Sequence, residues 1–445
     1  MESSSLQPTD ENATIATVMS TLSTQPYKGT RDYYPEDKYV QNYIFNAWRQ
    51  VVERFGYQEY GAPILEPIEI YAAKSGQELV NDQTYVFTDR GERTVAIRPE
   101  MTPTISRMVA ARRQELVYPA RLYSIANFMR YERPQRGRER EFWQLNVDVF
   151  GVDSIDADVE VIAIADAILK ELGGKDGDYT IRINNRQFIN EMMVNYLELD
   201  ETQAQMMTKL FDRRNKISDQ DFYEQAGEIF GNQDDERFTK IAQLLSASTI
   251  EQLPVELINA ESLQSLTQLF AKLTQLGVTA AVFDATLMRG LDYYTGTVFE
   301  VFDTHPDNNR SLFGGGRYDG LVGLFGAEPI SAVGLAPGST MIENFLAVRG
   351  LIPQYKTTTK AYVIVIDDAQ DTALQVATEL RSKGINVEVD ISGKKFDKQL
   401  KAGLKKGSDY LIFVGSQDAT LYSLKNVQTE QEDKLTLDQI AAQLA

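Results

Sequence analysis

The sequence predicts two differently built parts, an α+β portion of strand pairs and helices followed by a smaller α/β domain. Three observations lead there. Apolar strand patterns come in pairs around tight connections in the first 150 residues; residues from about 190 to 276 carry helical patterning throughout; and beyond residue 360 short strands alternate with helices. A chain of 445 residues exceeds what one core organises and fits roughly two to four domains. With 43% hydrophobic and 24% charged residues, its composition is that of an ordinary globular protein.

In chain order, residues 1–27 hold no Lys or Arg and are rich in Ser, Thr and Gln, which predicts a disordered tail and neither a secretory signal nor a transit peptide. A helix from about Asp37 to Phe55 follows, with Tyr39, Ile44, Phe45, Trp48, Val51 and Val52 at helical spacing. Pro63 and Pro67 keep the next stretch extended. Tyr85–Thr88 and Arg93–Arg98 read as a β-hairpin that delivers Arg98-Pro99-Glu100-Met101-Thr102-Pro103 to a helix start, with Thr102 or Thr104 as the expected cap. Arg121–Arg130 and Trp143–Gly151 read as two strands joined by an arginine-rich loop, and residues 155–172 as a helix stopped by Gly173-Gly174.

The helical stretch 190–276 contains 15 acidic and 7 basic residues, so a strongly solvated face is expected. Residues 349–359 have linker composition. The alternation from Ala361 onward implies βαβ units on a mostly parallel sheet, a separate domain at 360–445.

Composition excludes several chemistries. There is no cysteine, hence no disulfide, thiol nucleophile or thiolate-bound metal, and the single His305 lies in a turn-rich stretch that cannot make a multi-histidine metal site. No apolar run approaches the roughly 20 residues that span a bilayer, and a cytoplasmic protein is expected. A net charge of −19 opposes general nucleic-acid binding, so local basic clusters decide. Two exist: Arg130, Arg133, Arg136, Arg138 and Arg140 on a short loop, and Lys394, Lys395, Lys398, Lys401, Lys405 and Lys406 on a helical stretch. Guanidiniums so placed suit bidentate phosphate contacts; composition alone fits an exposed salt-bridged hairpin equally well. Arg289-Gly290-Leu291-Asp292-Tyr293-Tyr294 leads into the strand-like Thr297-Val298-Phe299-Glu300. If the strand already runs there, Leu287, Arg289, Leu291 and Tyr293 share a face. The cluster suits a small anion with a polar ring, and equally a structural network. Gly314-Gly315-Gly316-Arg317-Tyr318-Asp319-Gly320 reads by itself as a tight turn.

Taken together, Arg130-Tyr131-Glu132-Arg133-Pro134-Gln135 with Gly137-Arg138, Phe142 and Gln144, the RGLDYY run and the glycine-rich run resemble the histidyl-tRNA synthetases, which are class II aminoacyl-tRNA synthetases. The resemblance extends from about Lys28 to the C terminus. It implies an α+β class II catalytic domain at 28–348 with a mostly antiparallel sheet flanked by helices, a helical insertion at 190–276 and an anticodon-binding domain at 360–445. It also implies a homodimer that uses ATP with Mg²⁺ to join L-histidine to tRNA(His) through a histidyl-adenylate. Carried over by motif, Arg130, Glu132, Arg138 and Phe142 would bind ATP; Glu100, Thr102, Gln144, Asp148, Tyr293 and Tyr294 would bind histidine. Arg289 would hold the substrate carboxylate and act in catalysis. Gln135, Lys394, Lys395, Lys398 and Lys401 would meet tRNA, whereas the net acidic charge of the insertion opposes a strong electrostatic contact there. The glycine-rich run would line the histidine pocket, and no metal-ligating side chain is assigned.

One departure stands out. The third class II motif ends Gly-Leu-Glu-Arg, and here Gly338-Ser339-Thr340-Met341 is read with Thr340 in place of the arginine, with Arg138 or Arg317 compensating. The alternative reading is a histidine sensor without synthetase activity. The regulatory paralogue of ATP phosphoribosyltransferase is such a protein, but it generally lacks both the RGLDYY arginine and the anticodon domain.

Overall fold

The computed structural model describes residues 22–72, 82–135, 137–214, 217–232, 235–258, 261–288, 293–415 and 420–445. The chain divides into two compact units between Ile352 and Pro353.

The first unit starts with α1 (Pro35–Arg54). Pro35 pre-sets its first turn, Glu36 and Asp37 lie at the positive end of its dipole, and Ile44, Trp48, Val51 and Val52 form its buried stripe. Then come β1 (Gln58–Glu59), β2 (Leu65–Pro67), α2 (Glu69–Ala72), β3 (Tyr85–Thr88), β4 (Thr94–Ile97) and α3 (Thr102–Ala111). Next is the long hairpin of β5 (Ala120–Met129) and β6 (Glu141–Phe150), paired from Ala120 opposite Phe150 to Met129 opposite Glu141. After α4 (Asp156–Glu171) and β7 (Tyr179–Asn185) the chain is helical: α5 (Arg186–Glu191), a turn of π-helix at Met192–Tyr196, α6 (Glu201–Asp212), α7 (Asp219–Phe230), α8 (Arg237–Ser246), α9 (Val255–Ile258) and α10 (Glu261–Gln275). It returns through β8 (Ala281–Phe283), β9 (Thr297–Asp303), β10 (Ser311–Arg317) and β11 (Ala332–Leu335) to α11 (Ser339–Val348).

Eight of these strands form one sheet in the order β1-β5-β6-β11-β10-β9-β7-β8, antiparallel except for the outermost pairs β1–β5 and β7–β8. β2, β4 and β3 make a separate antiparallel sheet. Helices α1, α4 and α11 share one hydrophobic core with Leu145, Val147 and Val149 of β6, which leaves the alternate residues of β6 on the other face.

Three local expectations are corrected. β9 starts at Thr297, so Tyr293 sits in a turn before it, and Arg289 to Asp292 lie outside the described residues. The cap of α3 is Met101 without a side-chain bond; Thr102 is already helical, and the Thr104 hydroxyl meets that of Tyr71 at 3.3 Å instead. Gly314, Gly315 and Gly316 form a central strand, not a turn, and none has a positive φ. Close packing explains the glycines: a Cβ on Gly315 would run into the Gly334 carbonyl and, at 2.7 Å, the Phe299 ring, and one on Gly316 into the Tyr294 ring at 2.8 Å.

The second unit holds β12 (Ala361–Val365), α12 (Gln370–Ser382), β13 (Val387–Val389), α13 (Phe396–Lys406), β14 (Tyr410–Val414), β15 (Tyr422–Asn426), β16 (Glu432–Leu435) and α14 (Leu437–Leu444). Its sheet runs β13-β12-β14-β15-β16. The first three strands are parallel, but β15 and β16 turn back antiparallel, so the sheet is mixed rather than mostly parallel. The Gln399 amide of α13 is buried and pins β12, accepting from Val365 N at 2.8 Å and donating to Val365 O at 2.9 Å.

Candidate active site

The face of β6 away from the core opens on a cavity of about 1930 Å³. Alternation along the strand supplies Phe142, Gln144, Asn146 and Asp148 to its wall. The corner between β4 and α3 adds Glu100 and Thr102, and the loop between β5 and β6 adds Arg130 and Arg138. Tyr293, Tyr294 and Tyr318 close another side, and α6 of the helical stretch lines the far end. Small-molecule pockets commonly span about 300–1,000 Å³; this cavity has space beyond one small ligand.

The corner is held by Arg98, whose buried guanidinium donates to Asn127 O and Ala62 O, both at 2.9 Å. Pro99 O in turn accepts from Arg130 Nε at 2.9 Å, and the Arg130 guanidinium lies 5.1 Å from the centre of the Phe142 ring. Phe142 stacks on Phe128 with centroids 5.7 Å apart, so a cation and an aromatic face are fixed side by side. Across the cavity the Tyr293 hydroxyl donates to Glu100 Oε2 at 3.2 Å, and Gln144 Nε2 donates to Asn146 Oδ1 at 3.0 Å. The Tyr318 hydroxyl donates to Asp148 Oδ1. Gly334 leaves the space that this carboxylate occupies, because a Cβ there would collide with Asp148. Burial pushes the Asp148 carboxyl up to about 7, against the opposing pull of the Tyr318 hydrogen bond.

Of the residues singled out by sequence, Glu100, Thr102, Arg130, Arg138, Phe142, Gln144, Asp148, Tyr293 and Tyr294 all line this cavity. Arg289 lies outside the described residues. Glu132 is set back from the wall, 3.5 Å from Arg138 and 4.0 Å from Arg130, so its charge serves the arginines. Gln135 is paired by backbone to Arg138 in the loop and is exposed. Lys394, Lys395, Lys398 and Lys401 are exposed in the second unit.

The arginines divide by role. Arg138 keeps its side chain 62% exposed, whereas Arg140 is consumed, donating to Tyr27 Oη at 3.0 Å and to Glu132 O at 3.2 Å and lying 4.0 Å over the Tyr131 ring. Tyr27 is thereby docked, although it falls within the stretch read as tail. Arg317 cannot compensate for a missing phosphate ligand: it is buried, paired with Asp158, and donates to Val152 O at 3.0 Å and Ser154 O at 2.9 Å. The register of the third motif also shifts by one. Counted from Gly338, the arginine position falls on Met341, whose Sδ packs against Gly137 beside Arg138, while Thr340 Oγ1 approaches Glu139 at 3.5 Å.

Asn146 and the α6 wall were missed, and the bond of Tyr318 to Asp148 was not anticipated. Asn146 follows from the period-two pattern Phe142, Gln144, Asn146, Asp148, and Tyr318 stood inside the glycine-rich run; nothing in the sequence placed α6 against the site.

An eight-stranded, largely antiparallel sheet with helices on one face and an arginine-aromatic cavity on the other defines the catalytic domain of a class II aminoacyl-tRNA synthetase. The model of the family Histidyl-tRNA synthetase matches residues 29–341, and that of the Anticodon binding domain matches 360–445. A histidine--tRNA ligase of Leptospira biflexa is 40% identical over 401 residues, covering 89% of this chain and 91% of that protein. One from Haloarcula marismortui is 36% identical, covering 88% and 90%. The crystal structure of histidyl-tRNA synthetase from Nostoc sp. superposes with a TM-score of 0.79 at 25% identity, covering 95% of this chain and 99% of the other. The chain belongs to the histidyl-tRNA synthetase family.

The raised Asp148 carboxyl has a consequence for stability. A group whose folded pKa lies above its unfolded value binds more protons folded than unfolded, so its contribution is lost as pH rises through about 7. Asp148→Asn is therefore expected to raise the melting temperature at pH 8 relative to the parent, and to lose that advantage progressively as pH falls from about 7 toward the ordinary carboxyl value of about 4, as followed by calorimetric melting between pH 8 and 4.

Proposed function

We propose that this protein charges tRNA(His) with L-histidine in two steps. A carboxylate oxygen of histidine attacks the α-phosphorus of ATP, forming histidyl-adenylate and releasing pyrophosphate. The terminal ribose hydroxyl of the tRNA then attacks the adenylate carbonyl, and AMP leaves. The observation that carries this reading is the convergence on one cavity of two buried tyrosine-carboxyl pairs, Tyr293–Glu100 and Tyr318–Asp148, with the Arg130–Phe142 pair. The first group supplies acceptors for an ammonium and a ring N–H, and the second supplies charge for a phosphate and a face for adenine.

Arg130 and Arg138 would hold the nucleotide and Arg289 the substrate carboxylate, all stabilising charge that builds at phosphorus. Mg²⁺ would ride on the ATP phosphates and supply additional charge neutralisation there. With Met341 at the third-motif arginine position, Arg138 is the exposed cation best placed for the terminal phosphates. The test is histidine-dependent ATP–pyrophosphate exchange, with other amino acids as controls. Exchange with histidine alone, reduced by at least about 100-fold in Arg289→Ala, is expected when one cation that stabilises the transition state is removed. Absence of exchange despite measurable histidine binding would leave a sensor.

The second unit would bind the anticodon region. Lys394, Lys395, Lys398 and Lys401 are exposed, and half-exposed Phe396 stacks on Phe413 at 5.9 Å, a cationic surface with an aromatic platform. Lys398→Ala with Lys401→Ala should weaken tRNA binding and lower the salt slope of log K by about 1 for each phosphate no longer neutralised; an unchanged slope in filter-binding titrations counts against this surface.

The sheet of β2, β4 and β3 supports a homodimer. Leu65, Pro67, Tyr85, Phe87, Val95 and Ile97 share one of its faces, and Leu65 and Phe87 are each 44% exposed. Such an apolar sheet face is normally covered, and a second copy would cover it. Phe87→Asp is expected to shift the protein from dimer to monomer in light scattering.

A further inference from the structure

Asp148 has one oxygen accounted for and one not. Oδ1 accepts from the Tyr318 hydroxyl, while Oδ2 is buried and has no hydrogen-bond partner. Two more buried, unpartnered oxygens stand on the neighbouring strands: Ser124 Oγ on β5, and the Tyr60 hydroxyl just past the end of β1. Strand register brings the three together. Leu122 lies opposite Asp148 and Ser124 opposite Asn146, so Ser124 is the diagonal neighbour of Asp148 on the cavity face. β1 runs parallel to β5 with Glu59 level with Tyr123, and Tyr60 N donates to Tyr123 O at 2.8 Å, which carries Tyr60 alongside Ser124.

Leaving a buried donor or acceptor unpaired is costly, and three at one spot are best satisfied by one another. The other titratable groups around Asp148 are committed elsewhere. Arg98 is bound to Asn127 O and Ala62 O, Glu100 receives the Tyr293 hydroxyl, and the Tyr57 hydroxyl and Arg121 both bond Glu160. The Tyr60 phenol, by contrast, senses both the Asp148 charge and the Ser124 hydroxyl, and burial holds it well above its ordinary value.

We propose that the Tyr60 hydroxyl, backed by Ser124, is a second donor to Asp148 that positions its carboxylate, ionised, to accept a ring N–H of the bound substrate. The inference rests on reading the cavity as a histidine pocket. A carboxyl that is fully buried with a single donor is partly protonated near neutrality, and a protonated oxygen cannot accept from the ring. A second donor that acts on the carboxyl before the ring arrives lowers its pKa and moves Asp148 toward the charged form. Tyr60 is thus a positioning residue, acting on the substrate only through Asp148.

The experiment is calorimetric titration of the full chain with L-histidine between pH 6 and 9, comparing the parent with Tyr60→Phe and Ser124→Ala. Removing the Tyr60 hydroxyl should weaken binding severalfold at pH 6, toward the limit of about tenfold that one pKa unit at Asp148 sets, with the deficit shrinking as pH rises. Ser124→Ala should shift the profile in the same direction by less, and it decides the matter alone if Tyr60→Phe does not fold. The titration of the ligand's own ring is common to all three proteins and cancels. Superimposable profiles, or a loss equal at every pH, would overturn the proposal, the latter by making Tyr60 merely structural. Failure of the parent to bind histidine at any pH would overturn the functional reading with it.

Discussion

The register of β6 between β5 and β11 is the constraint on which the site depends. One set of alternate residues, Leu145, Val147 and Val149, enters the core beneath α1, α4 and α11; the other set, Gln144, Asn146 and Asp148, forms the cavity wall. A slip of one residue would exchange the two sets, placing a carboxylate among aliphatic side chains and three aliphatic side chains in the cavity. The core therefore enforces the geometry of the site: the burial that stabilises the sheet is what aims the polar groups. The same strand pairing puts Gly334 of β11 opposite Asp148 and binds Leu145 N to Pro337 O at 3.0 Å, which ties the start of α11 to the cavity floor.

Much of the fold was legible because its signals are local. The long helices, the β3–β4 hairpin and the βαβ alternation follow from periodicity, turns and glycine stops, and each has its counterpart in the structure within a few residues at either end. The glycine-rich run was not legible by such rules. Glycine in Gly314-Gly315-Gly316 is dictated by neighbours from β9 and β11 that are remote in sequence, and local chemistry reads the same letters as a turn. β16 was also invisible, since Glu432-Asp433-Lys434-Leu435 lacks apolar alternation and owes its conformation to pairing with β15.

Charge shows the same limit more sharply. Five arginines in one loop look alike in a sequence, yet Arg130 and Arg138 face the cavity while Arg140 is consumed by Tyr27, Glu132 and Tyr131. Arg317, adjacent to a pocket residue, is spent on Asp158 and two carbonyls in a buried network whose loss would leave a carboxylate unpaired. What separates a binding cation from a structural one is whether acceptors already saturate it, and those acceptors come from distant segments.

Gly315, Gly316 and Gly334 bear on how the family can vary. None of the three offers a functional group, yet each stands where any added carbon would collide with a backbone oxygen, an aromatic ring or the Asp148 carboxylate. At Gly316 and Gly334 the room taken by the cavity residues Tyr294 and Asp148 is set by atoms the chain does without, and at Gly315 the same absence admits the core ring of Phe299. Such positions are closed to every other amino acid for reasons of volume alone, so strict mutational intolerance there would report the shape of the pocket and of the packing beneath it rather than contact with whatever fills it.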